Sequence, residues 1–76
     1  MTSSITAFFE NIAALPLAEQ LLRVHDESKR RSDESDEAYK EFVLSDQFMH
    51  WCQVTSQREG LSEAFAQTDR IIQAAE

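Results

Sequence analysis

One glycine and one proline in 76 residues leave few places where this chain can make the tight turns of a sheet protein. Turns and hairpin loops draw heavily on both residues, so their scarcity points to helices joined by few connections. The apolar spacing agrees. Ile5, Phe8, Phe9 and Ile12 recur at helical intervals behind a capping Ser3 or Ser4, which predicts a first helix from about Ser4 to Ala14. Pro16 then interrupts. Proline fits the first turn of a helix, so a second helix is expected to begin at Pro16 or Leu17.

From there Leu17, Leu21, Val24, Ser28, Arg31, Ser35, Ala38 and Phe42 alternate in steps of four and three, the spacing of a coiled-coil seam. The ends of this seam are apolar, but no large apolar residue lies between Val24 and Tyr39. Glu27–Arg31, Arg30–Glu34 and Asp36–Lys40 are opposite charges four apart, and each supports a helix there. One long helix is expected over 17–43. A break near Ser32 to Ser35 is the alternative, because Ser and Asp favour caps over helix interiors.

Leu44 and Ser45 read as a turn, with Ser45 as N-cap and Asp46 at the positive end of a third helix over about 46–75. Trp51, Val54, Arg58, Leu61, Phe65, Thr68, Ile72 and Ala75 repeat the three-four alternation, with Gly60 marking a kink inside it.

The expected architecture is a single all-helical domain over residues 1–76. A short N-terminal helix precedes a long antiparallel helical hairpin. In that register Phe42 meets Phe48, Val24 meets Phe65 and Leu17 meets Ile72. Tyr39 lies near Trp51 and Cys52, with Cys52 as a small hydrophobe beneath it. A lone hairpin buries one stripe per helix, so Phe8, Phe9, Met49, Trp51 and Ile71 need other cover. A homodimer with a four-helix core supplies it, with Phe8, Phe9, Leu21, Val54, Leu61, Phe65 and Ile72 as core and dimer residues.

Charge narrows the partners. Fourteen acids against seven bases give a formal net charge of −7, which opposes direct binding to nucleic-acid phosphates and favours a partner with a basic surface. The apolar stretch from Ile5 to Leu17 is interrupted by Glu10 and Asn11, so neither a secretory signal nor a membrane span is expected. A single cysteine, Cys52, excludes an internal disulfide and fits a reducing compartment. These features together suggest the cytoplasm.

Little chemistry is expected. His50 and Cys52 fall on different helix faces, and the hairpin sets His25 roughly 22 Å from His50, so no metal site closes. The carboxylates Asp33, Glu34, Asp36 and Glu37 lack the burial that shifts pKa values. One glycine leaves no phosphate-cradling loop of the usual kinds. Neither an enzyme nor a cofactor site is expected.

Two features suit binding. The first is an aromatic-rich hairpin tip of Tyr39, Phe42, Phe48, Met49 and Trp51, residue types that anchor interfaces. The second is the run from Asp26 to Glu41, with seven acids and four bases, in which Asp33 and Asp36 would meet a basic partner. Alternatively Lys29, Arg30 and Arg31, brought together by symmetry, would clamp a small anion such as a cyclic nucleotide in an oligomeric sponge.

The stretch from Ala38 to Trp51 (AYKEFVLSDQFMHW) has an aromatic helix end, a Ser-capped turn and a second aromatic helix. It resembles the small acidic helical-hairpin proteins of temperate bacteriophages. Members of that group bind and disable bacterial proteins such as quorum-sensing transcription factors, pilus motor ATPases and CRISPR complexes. The N-terminal helix with Phe8 and Phe9 departs from the pattern. The resemblance implies a non-enzymatic inhibitor or adaptor that occludes a host protein.

Overall fold

The computed structural model describes residues 3–75. The described residues form five helices: α1 (Ser4–Ile12), α2 (Leu17–Glu34), α3 (Asp36–Val43), α4 (Asp46–Ser56) and α5 (Leu61–Ala75). The all-helical class read from the sequence therefore stands, and none of these helices is long and apolar enough to cross a membrane.

The two long rods do not. An unbroken helix over 17–43 would measure about 40 Å at 1.5 Å per residue, longer than the 34 Å of the longest molecular dimension. The chain breaks it at Ser35, whose backbone is extended and whose Oγ accepts from the Ala38 N–H at 3.0 Å. Asp36 and Glu37 then occupy the first turn of α3, where the helix dipole favours acids. The break turns α3 back against α2. Arg31 and Phe42 would lie about 16 Å apart along a straight helix, yet the Arg31 guanidinium sits 5.1 Å from the Phe42 ring centroid.

The second rod is divided as well. Helix α4 stops at Ser56, and Gly60 adopts φ +77°, a left-handed conformation that ends a helix rather than bending one. The turn over Leu44 and Ser45 forms as expected, with Ser45 Oγ accepting from the Phe48 N–H at 3.2 Å and donating to the Phe42 carbonyl at 2.7 Å. Helix α2 starts at Leu17, behind Pro16.

The core lies where α1 closes over the α3–α4 corner. Phe42 is fully buried. Its ring meets Phe9 in a stack at 5.6 Å and Phe8 and Phe48 edge-on at 5.7 and 5.3 Å. Trp51 lies 6.1 Å from Phe9 and 6.2 Å from Phe48. Phe8 and Phe9 thus take their cover from the same chain. Elsewhere α5 packs on α2, where Thr68 Oγ1 donates to the Ala18 carbonyl at 3.1 Å.

Two buried polar side chains hold these helices in place. Gln20 Nε2 donates to the carbonyls of Leu15 and Ala13 at 2.9 and 3.3 Å, and Gln20 Oε1 accepts from the Trp51 indole N–H at 3.0 Å. One amide joins the linker after α1 to both α2 and α4. Arg31, 7% exposed, donates to Glu27 at 3.1 Å and to Ser4 Oγ at 3.2 Å while covering Phe42. A buried guanidinium needs a counter-charge and partners of this kind.

Candidate functional site

The aromatic tip divides between interior and surface. Phe42 belongs to the core, and Phe48 and Trp51 are half-buried around it. The expectation that Phe42 lies on a binding surface fails because α1 and Arg31 enclose its ring. Tyr39 and Met49 remain outside at 40% and 55% exposure, joined by Leu44 at 71%. All three lie on the segment from α3 through the turn into α4. Asp36, Glu37, Glu41 and Asp46 are exposed on the same segment, and Asp33 is exposed near the end of α2.

The basic cluster is taken apart by its own neighbours. Arg31 is buried, and Arg30 pairs with Glu27 at 2.7 Å and with Glu34 at 3.7 Å. Lys29 is exposed. The Glu27 carboxylate therefore binds two of the three side chains assigned to the anion clamp. Cys52 is exposed on α4 and does not serve as a buried filler beneath Tyr39.

A groove of about 380 Å³ between α1 and α4 was not foreseen from the sequence. Its α1 wall carries Thr6, Phe9 and Glu10 with Ala13 just past the helix, its α4 wall carries Gln47, His50, Trp51, Val54 and Thr55 with Arg58 past the helix end, and Gln20 of α2 lies between them. Both walls follow three-four spacing, the signal that would have found them had the N-terminal helix been laid against α4. The floor is apolar, and Glu10, His50 and Arg58 supply charged and polar groups along it. Gln47 Nε2 donates to Thr6 Oγ1 at 2.6 Å, tying the walls together at one point.

A smaller groove of about 250 Å³ lies between α2 and α5, lined by Leu21, Val24, His25, Phe65, Thr68 and Ile72 among others. It brings together three of the residues expected in the core, and Val24 and Phe65 both line it. Leu21 is buried there, and Ile72 and Leu61 are half-buried. Phe65 and Val54 remain about half exposed, at 50% and 49%. His25 and His50 line different grooves. No family model, curated protein or solved structure matches the chain.

Proposed function

We propose that this chain is a non-enzymatic, self-associating protein-binding module, an inhibitor or adaptor that occludes a basic surface of another protein. The observation that carries this reading is the exposed set Tyr39, Leu44 and Met49 amid Asp36, Glu37, Glu41 and Asp46. Tyrosine and methionine bury large area at an interface, and surrounding acids steer a basic partner and set its orientation. A net charge of −7 adds long-range attraction to such a surface and opposes binding to nucleic-acid phosphates. The resemblance to phage helical-hairpin proteins makes a bacterial host protein the partner and the cytoplasm the place of action. A transcription factor's basic DNA-binding face, a pilus ATPase and a defence complex are the targets to examine.

The test is capture from bacterial lysate on immobilised wild-type chain, with Tyr39→Ala/Met49→Ala as the control bait. A single basic partner lost with the double variant supports the reading. Asp36→Lys/Glu37→Lys should then slow association and weaken its salt dependence. Equal recovery on both baits would sink the assignment of the surface.

A further inference from the structure

We propose that two copies of the chain associate about a two-fold axis through the α1–α4 groove, with Glu10 of each protomer facing Arg58 of the other. The inference rests on the self-association in the proposed function and names its surface.

Three observations bear on this inference, one on self-association and two on the groove. The first is area. A folded monomer of 8.7 kDa exposes roughly 4,700 Å² by size scaling, whereas this chain exposes 5571 Å². The surplus, roughly 800 to 900 Å², is spread over the whole chain and is of the size one partner contributes to a standard interface, so it supports self-association without choosing the surface.

The second is charge. Two copies of a −7 chain repel one another over most of their surfaces. The groove is an exception, for it holds one acid, Glu10, and one base, Arg58. Among the described residues neither takes part in an ion pair within the chain. An isologous contact sets each surface against itself, so a patch with one charge of each sign can complement its own copy. Two-fold symmetry forms both Glu10–Arg58 pairs together.

The third is shape. Two neighbouring helices lined at three-four spacing over an apolar floor form the seat into which a third helix packs. Val54, 49% exposed, stands on the α4 wall beside Trp51 and supplies the apolar ridge for the opposite groove. The result is a four-helix layer of two α1 and two α4 helices. The exposed Tyr39 and Leu44 do not line this groove and stay available to another partner.

Sedimentation equilibrium of the full chain tests this with Glu10→Arg, Arg58→Glu and the double variant. Both positions are exposed, so the variants should keep wild-type helicity by circular dichroism. Wild type is expected at twice 8.7 kDa. Each single reversal should weaken the dimer about tenfold, and the double variant should restore it. The sole tryptophan, Trp51, should shift its emission to the blue as wild type dimerises. A monomeric mass up to millimolar concentration would overturn self-association altogether. A dimer indifferent to both reversals would overturn the groove alone and leave self-association standing.

Discussion

The indole N–H of Trp51 donates to the side-chain oxygen of Gln20 at 3.0 Å, a bond spanning 31 positions of the chain. The same amide donates to two backbone carbonyls beyond α1, so a single side chain fixes α4, α2 and the exit from α1 together. Gln20→Leu removes these partners at once from a side chain that is only 5% exposed. The expected cost is about 2–3 kcal/mol, or a fall in Tm of about 10 °C or more. Combined with Trp51→Phe, the loss should be smaller than the sum of the two single losses. Thermal denaturation followed by circular dichroism measures both, and strict additivity would refute the coupling.

Phe42 and Tyr39 occupy one helix and should behave in opposite ways. Phe42 is fully buried among three phenylalanine rings, so Phe42→Ala should cost about 3–5 kcal/mol, most of the stability of so small a chain. Urea titration should find this variant largely unfolded or molten at room temperature. Tyr39 is 40% exposed, and Tyr39→Ala should stay within about 0.5 kcal/mol of wild type while partner capture falls.

Glu27 gives the fold an acid dependence with a definite sign. Hydrogen bonds from Arg30, opposed by burial and reinforced by Arg31, hold its carboxyl below the usual 4.5. A carboxylate with a depressed folded pKa contributes fully above its unfolded value and fades as pH falls through the folded one. Stability should therefore decline below pH 4.5. Glu27→Gln should flatten that decline and lower stability at neutral pH, because it leaves Arg31 buried without its counter-charge. Urea titrations between pH 3 and pH 7 are the measurement; an unchanged acid slope would remove Glu27 from the account.

Gly60 has open space around the position of a Cβ, so its constraint is conformational and not steric crowding. At φ +77° an alanine should destabilise the α4–α5 junction by about 1 kcal/mol. Gly60→Asn should recover part of the loss, since asparagine tolerates the left-handed region. A Gly60→Ala variant as stable as wild type would show that this turn readily adopts another conformation.

Helix content, the start of α2 and the Ser45 turn were legible in the sequence because local rules decide them: apolar spacing, a proline at the entrance and a side-chain cap. The break at Ser35 was legible only as an alternative. None of the charge pairs spans Ser35, so they leave the break open, and it is decided by whether α3 gains by folding back onto α2. The role of Arg31 was hidden for the same reason. Its partner Glu27 is four residues away and visible, but Ser4 and Phe42 reach it only through tertiary structure. Phe8 and Phe9 find their cover within the chain, because α1 is the lid of the aromatic cluster and not an appendage to it. Leaving α1 undocked also conceals the α1–α4 groove.

The lid is synthesised before the aromatic residues it covers, which come much later in the chain. Phe9 precedes Trp51 by 42 positions, and Phe42 and Phe48 also lie in the second half of the chain. At 5–20 residues per second a ribosome needs roughly 2 to 8 s to bridge that interval. Until Phe42 is added, 33 positions after Phe9, the Phe8–Phe9 segment has none of its partners from α3 and α4, a window in which a nascent-chain chaperone or another newly made copy could engage it.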